Sequence, residues 1–398
     1  MNQSRAGPKP SCLARAGRVL LLNALLPKCQ RPHAKTRFKV GVLLRGGVGD
    51  WILASPALER FVAALRSHDV ELTIHAESRH GAIASLIGLH DRLVLIDAAR
   101  GKGLIRRHRI LAQLRREHYD VWIDADISRT NLGDAMSLAS AAPLRIGYAA
   151  RPDLPCHALI EKRAFDRLLA EEATVHMRTR FERLFAFSWD QMLPRVSRHG
   201  SEDHTPSNGL RQFRWIGQHA DYCVIAPGAS SPQRIWPAER FAQLAARIAT
   251  EHGLHPVVIG AHGDRSACDA VAQHYGGHDL VNRVGQDSLS DVFKRIAGAR
   301  LLVTNDSGPM HIGRWTQTPT LAIASGADFC SYAAYPDPSP NFCVAHSDDQ
   351  SCFNCRWNCM YPSHGQDAIK PCLAAVDVAT ASTLINGLFK RTAPSARF

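Results

Sequence analysis

Uninterrupted apolar runs in this 398-residue chain are short, such as Val19-Leu20-Leu21-Leu22. Nothing approaches the roughly 18 to 20 residues a helix needs to cross a bilayer, so no spanning helix is expected. Acidic residues are missing from positions 1–49, which hold ten of the 48 Lys/Arg. The remaining 38 Lys/Arg face 36 Asp/Glu, so the net charge of +12 belongs to the N-terminal end and the body is nearly neutral. A chain-wide nucleic-acid surface is therefore not implied, despite the pI of 9.4. The segment around Val19 resembles a secretory signal, but no small-x-small cleavage site follows at Pro27-Lys28-Cys29. Residues 1–37 read instead as a basic tail, disordered or lying on a membrane surface. G-x-G-x-x-G is absent after the first strand of either half, where Gly46, Gly47 and Gly49 have the wrong spacing. That argues against a dinucleotide-dependent oxidoreductase. A chain this long does not depend on disulfides, so its eleven cysteines, an odd number, read as reduced thiols in a cytosolic protein.

What is present is alternation. Strands are expected at 38–44, 71–75, 92–96 and 120–124, with helices at 56–65, 82–87 and 104–117 between them. A second series has strands at 222–226, 255–260, 300–304 and 318–323 and helices at 238–251 and 289–297. Buried apolar runs alternating with helical patterns imply βαβ units and parallel sheets, an α/β fold. The organisation expected is a tail (1–37), one domain (38–197), a polar linker (198–218), a second domain (219–376) and a C-terminal helix and tail (377–398). Pro237 suits the first turn of its helix, and Gly253 its end.

Ligands of open α/β sheets bind beyond the C-terminal ends of strands, and three loops stand there. Gly46-Gly47-Val48-Gly49-Asp50 lets backbone approach a ligand and offers Asp50 as a general base; a helix-capping carboxylate fits the same residue. The loop 227–237 carries small residues, Ser230 and then Arg234, whose planar donors suit a diphosphate; an exposed Arg on a structural turn fits as well. Asn305-Asp306-Ser307-Gly308-Pro309-Met310-His311 places N–H groups and a hydroxyl at a helix start, with Asp306 able to orient the loop or meet a ribose. An ordinary capped βα turn is the plain alternative.

Together these loops resemble the ADP-heptose:lipopolysaccharide heptosyltransferase family of GT-B glycosyltransferases. The resemblance runs from about Phe38 to about Val376 and rests on three motifs. They are the strand and Gly-Asp at 42–50 with Pro56-Ala57-Leu58, then Pro227-Gly228-Ala229-Ser230 leading to Arg234-x-Trp236-Pro237, and 303–311 preceded by Gly285-x-x-Ser288-Leu289. The resemblance implies two Rossmann-like domains with parallel sheets facing across a cleft, the first receiving the acceptor and the second holding ADP. It implies inversion at the anomeric carbon with no cofactor required for catalysis. Asp50 would be the base, the loop glycines Gly46, Gly47 and Gly49 acceptor-side, and Ser230, Arg234, Asp306, Ser307, Gly308 and His311 donor-binding. The family often has Lys where this chain has Arg234. The implied acceptor is a glycan or lipid-linked glycan such as lipopolysaccharide core; a protein acceptor, or nucleotide binding without transfer, is the alternative. The implied location is cytoplasmic, peripheral at the inner membrane through the basic tail, with no nucleic-acid partner.

Cys352-x-x-Cys355-x-x-x-Cys359 and Cys372 stand apart from these motifs. Four thiols in 21 residues suit a structural zinc or iron, or a reduced, redox-sensitive cluster. In family relatives that modify autotransporters such a cluster carries iron.

Overall fold

A computed structural model describes residues 12–27, 37–97, 104–127, 129–150, 155–170, 172, 174–196, 213–214, 221–361 and 369–392. The first unit contains α1 (Cys12–Ala24), β1 (Phe38–Leu43), α2 (Val48–Arg66), β2 (Val70–Glu77), α3 (Gly81–Ile87), β3 (Arg92–Ile96) and α4 (Leu104–Arg115). It continues through β4 (Val121–Asp124), α5 (Asn131–Ser140), β5 (Leu144–Tyr148), α6 (Pro155–Ala164), β6 (Arg167–Leu169) and α7 (Met177–Met192). Its sheet is parallel, in the order β3-β2-β1-β4-β5-β6. Apolar residues on both faces of the central strands are fully buried, Val40, Val42, Val121 and Ile123 on one face and Leu43 and Trp122 on the other, as a sheet covered on both sides requires.

The second unit repeats the plan. It contains β7 (Tyr222–Ala226), α8 (Ala238–His252), β8 (His255–Val258), α9 (Arg265–Tyr275), β9 (Val281–Asn282) and α10 (Leu289–Gly298). Then follow β10 (Leu301–Asn305), α11 (Gly308–Thr316), β11 (Thr320–Ile323), α12 (Phe329–Tyr332), β12 (Phe342–Ala345), α13 (Pro371–Ala374) and α14 (Val378–Thr392). The order β12-β11-β10-β7-β8-β9 is again parallel and has the same topology as the first sheet. By contacts, Val48–Leu53 and Thr174–Met177 group with this unit. The α/β class with two Rossmann-like parallel sheets is as the alternation indicated.

Three readings need correction. Within the expected tail, α1 buries Ala16, Val19 and Leu22, with Leu26 just beyond it, in a core shared with α4, α5 and α6. The spacing of these residues is helical, so the stretch is built into the domain and not a free tail. α2 starts at Val48, eight residues before the expected 56, with Pro56 inside it. Proline removes one intrahelical donor there, but burial of Trp51, Leu53, Leu58, Phe61 and Leu65 carries the helix through. Pro237 is the N-cap of α8 and not a first-turn residue, at ψ 134°. Gly253 does end that helix, at φ 65°. The expected linker, 198–218, lies outside the described residues except Phe213 and Arg214.

Candidate functional site

In a sheet of this order the strand sequence reverses between its first and fourth strands, and ligands collect beyond the carboxyl ends there. All three motif loops fall at such points: after β1 in the first unit, and after β7 and β10 in the second.

In the first unit the residue before the glycines, Arg45, is fixed from several directions. Its backbone N–H donates to Asp126 Oδ1 at 2.8 Å and its Nε to Asp126 Oδ2 at 2.6 Å. Its Nη2 donates to Thr130 Oγ1 at 2.9 Å, and His80 Nδ1 lies 3.0 Å from its carbonyl. Asp126 and Asp124 are buried, and burial pushes both carboxyls above the ordinary range. Behind them Arg129 donates to Asp134 and Glu161, and His157 Nδ1 is 2.6 Å from Asp134 Oδ2. Sequence reading missed this network. Its signal is Asp124-x-Asp126 directly after an apolar strand, but Arg45 lies 81 residues from its partner. Asp50 is the third residue of α2, in the first turn rather than at the cap. A carboxylate there is favoured by the free N–H groups of the helix start.

Gly49 lies in Val48–Leu53, the stretch that groups with the second unit, and packs on His311 within that unit. A Cβ there would lie 2.4 Å from His311 Cδ2, so only glycine admits the ring edge. His311 is buried in α11, with Nδ1 2.6 Å from the Tyr335 hydroxyl. Burial, then the positive fields of His176 and Arg234, push it down to about 3, so it is a neutral imidazole at physiological pH.

The loops after β7 and β10 are tied together by Asn305. Its Oδ1 accepts the Trp236 backbone N–H at 3.1 Å, and its Nδ2 donates to the Pro227 carbonyl at 2.6 Å. Asp306 is buried, and its Oδ1 has no hydrogen-bond partner among the described residues. Burial raises its carboxyl, against the field of Arg234. Ser307 is the N-cap of α11 but makes no side-chain cap bond, Gly308 is the first helical residue, and the first turn holds no acid. Within that turn Pro309 has no N–H, Met310 N–H donates to the Ser307 carbonyl at 3.0 Å and the Ser307 hydroxyl lies 3.4 Å from the Asn305 carbonyl, so what the turn offers an anion is the Gly308 N–H and the positive end of the helix dipole. Ser230 is exposed on its loop. Arg234 ends a short 3₁₀ turn, with Nη2 3.7 Å from Asp328 Oδ2 and its guanidinium over the rings of Trp357 and Tyr332. Burial raises the Tyr332 hydroxyl, with Asp50 the next contributor and Arg234 opposing, so Asp50, Arg234, Asp306 and Asp328 share one electrostatic neighbourhood. Asp328, Tyr332, Tyr335 and Trp357 were not legible in the sequence. The Gly285-Ser288 motif proves architectural: Gly285 has φ 70°, and Ser288 caps α10 reciprocally with Asp291.

Cys352, Cys355, Cys359 and Cys372 line one small pocket with Phe353, Trp357 and Tyr361. Burial, then the fields of the other three thiols, raise Cys355. The donor chemistry suits a thiophilic cation. As positioned, however, no three His, Cys, Asp or Glu among the described residues form a set that could hold one.

Comparison with known proteins agrees with this architecture. The chain is 31% identical over 104 residues to lipooligosaccharide heptosyltransferase 2 of Haemophilus ducreyi, a stretch covering 25% of this chain and 30% of that protein. The chain thus matches only about a third of the length of such curated relatives. Its fold matches that of E. coli ADP-heptose lps heptosyltransferase II with a TM-score of 0.62 at 18% identity, covering 89% of this chain and 99% of that one. It also matches the iron-containing dodecameric glycosyltransferase TibC of enterotoxigenic E. coli, with a TM-score of 0.50 at 15% identity over 91% and 78% of the two chains. The model of glycosyltransferase family 9 (heptosyltransferase) matches residues 107–358, more than half of the sequence, and the chain belongs to that family.

Proposed function

We propose that the protein is an inverting glycosyltransferase that moves a sugar, heptose from ADP-heptose, onto a cell-surface glycan such as lipopolysaccharide core. The observation that carries this reading is the grouping of Arg234, buried Asp306 with its Oδ1 unpartnered among the described residues, and the N-terminus of α11 at the switch point of the second sheet. A diphosphate leaving group is stabilised by a guanidinium and helix N–H groups, and a buried carboxylate oxygen suits a ribose hydroxyl. Asp50, on the first turn of α2, takes the acceptor hydroxyl's proton as the new bond forms at the anomeric carbon. No metal enters any step.

The test is transfer from a panel of nucleotide sugars by wild type and Asp50→Asn. The amide keeps the shape and removes the basicity. Turnover should fall at least about a hundredfold, with ADP affinity nearly unchanged. If the variant keeps most of its turnover, Asp50 serves only the helix.

Two finer points belong to the same proposal. For the cysteine pocket we propose a structural zinc or iron, on the chemistry of four thiols and the fold shared with an iron-containing glycosyltransferase, although the thiols must close up to hold it. For location we propose peripheral attachment to an anionic inner-membrane surface. No described helix is long and apolar enough to cross a membrane. The outer side of α1, however, exposes Leu13, Leu21 and Leu25, with Arg18 on the same side as Leu21 and Leu25.

A further inference from the structure

The cysteine-bearing segment between β12 and α13 is held in an unusual shape. Asn354, Arg356 and Trp357 all have left-handed backbone, at φ 61°, 53° and 66°. Side chains other than glycine rarely adopt it, and such strain persists only where surrounding contacts enforce it. The contacts here are specific. Asn354 N–H donates to the Gly326 carbonyl and Arg356 N–H to the Ala327 carbonyl, both at 2.7 Å. Asn354 Oδ1 accepts the Cys330 N–H at 3.1 Å, and Phe353 packs against Phe329. The segment is thus clasped onto the loop after β11, the loop that carries Asp328.

The clasp leaves Trp357 facing the donor-side arginine. Its ring centroid is 5.0 Å from the Arg234 guanidinium carbon, and Tyr332 lies 5.8 Å from the same carbon. Its indole N–H donates to Asp328 Oδ2, the oxygen that also lies 3.7 Å from Arg234 Nη2. Trp357 and Asp328 therefore form one bracket around Arg234. Trp357 also lines the pocket of the four cysteines.

We propose that Trp357 is a positioning residue for donor binding. Its ring and its bond to Asp328 set where the Arg234 guanidinium stands, and the cysteine pocket sets where Trp357 stands. This rests on the reading of Arg234 as a diphosphate contact. A guanidinium over an aromatic face is attracted by the ring's negative face, more strongly when partly desolvated. Phosphate recognition by arginine depends on the orientation of its planar fork. An arginine freed of Trp357 keeps its charge and loses that orientation. The side chain beside the thiols thus makes their arrangement felt at the donor site without any thiol touching the donor.

The experiment is calorimetry of ADP with the full-length chain and its Arg234→Ala, Trp357→Ala, Trp357→Phe and Cys355→Ser variants, plus Arg234→Ala/Trp357→Ala. Trp357→Ala should weaken ADP by about two- to thirtyfold, the range of a cation–π contact. It should weaken it no further in the Arg234→Ala background, because the tryptophan acts through the arginine. Trp357→Phe retains a ring and should recover affinity to within about threefold of wild type. In transfer assays the loss should fall on donor KM and not on kcat. Cys355→Ser should weaken ADP as Trp357→Ala does, and the two should not add. If Arg234→Ala weakens ADP and Trp357→Ala does not, this inference fails alone. If Arg234→Ala binds ADP normally, the donor reading itself falls. An equal loss from Trp357→Ala with and without Arg234 would mean a structural role and overturn the proposal. Normal affinity in Cys355→Ser would sever the link to the pocket.

Discussion

Asn305 allows the sharpest calculation, because it is fully buried, its two bonds are known and it touches no donor in the proposed reading. Asn305→Ala removes both at once. The Trp236 N–H and the Pro227 carbonyl are left in a dry interior, where each unpaired group costs about 1 to 3 kcal/mol. The expected loss is therefore about 2 to 6 kcal/mol, a large share of the roughly 5 to 15 kcal/mol that folded domains possess. Asn305→Asp refines the test. A carboxylate still accepts from Trp236, but it cannot donate to Pro227, and it adds charge beside the buried Asp306. Protonated, it regains the donor. Its folded pKa is then raised above its unfolded one, so its deficit relative to wild type should be smallest at low pH and grow as pH rises past the ordinary carboxylate range. Urea unfolding followed by tryptophan fluorescence measures both variants, with Trp236 as a buried reporter in the same unit. ADP affinity should fall as well, since the loops after β7 and β10 lose their tie. A loss below about 1 kcal/mol in Asn305→Ala, or a pH-independent deficit in Asn305→Asp, refutes the reasoning.

Deleting residues 1–35 removes α1 and with it the burial of Val19, Leu22 and Leu26. At roughly 1.5 to 3 kcal/mol for each such side chain, the first unit should lose on the order of 5 kcal/mol, seen as a lower urea midpoint; an unchanged midpoint would show that the helix adds nothing. His311 is pushed down to about 3 in the folded chain against about 6.5 when unfolded. The unfolded state therefore takes the proton first, and the stability that neutral His311 contributes is present above about pH 6.5 and lost as pH falls toward 3. His311→Gln should flatten that acid-side decline, and an identical pH profile argues against it. Elemental analysis of protein purified without chelators should find close to one zinc or iron per chain at the cysteine pocket; metal-free protein with four titratable thiols ends the metal proposal.

The fold was legible where strands are covered on both faces. Buried strands such as Val121–Asp124 and Leu301–Asn305 begin with apolar runs of three, Val121-Trp122-Ile123 and Leu301-Leu302-Val303, because neither side of a parallel sheet meets water. Legibility failed where a second signal competed with the hydrophobic period. In α1 the helical stripe of Ala16, Val19 and Leu22 lies among arginines and exposed leucines, so the segment resembles a targeting signal more than a core helix. In α2, Pro56 reads as a beginning, although the buried residues before it already continue the helix. The segment 131–192 holds α5 to α7 and two strands that the pattern did not resolve. Much of the burial there is polar: Asp134 is paired with Arg129 and His157, Ser137 with Trp122 and Asp124, and Ser140 donates to the Ser137 carbonyl, none of which hydropathy alone registers.

The candidate site divides along the same line, and the division has a physical cause. Motif residues are recognisable because backbone geometry dictates them locally. Glycine at 49 admits His311, Ser288 caps α10, and Asn305 ties two loops at neighbouring strand ends. Each needs a particular residue type at a particular offset from a strand, so the order of the strands brings out the signal. Asp328, Tyr332, Tyr335 and Trp357 obey no such offset. They reach Arg234 and His311 from the connections that follow β11 and β12, and what they supply is charge and ring faces, which many spacings can deliver. In the proposed reading the strand order places the motif loops that would meet a diphosphate and a base, while these longer connections bring Asp328 and the aromatic rings against Arg234. In that division Arg234→Lys is the informative change. A lysine keeps the charge for a diphosphate and loses the planar fork that stacks on Trp357. Arg234→Lys should therefore weaken ADP by about as much as Trp357→Ala does, a few-fold to thirtyfold, and should leave Trp357→Ala with little further effect. A lysine variant that binds ADP like wild type while remaining sensitive to Trp357→Ala would mean that charge alone serves the donor, and that the ring acts elsewhere.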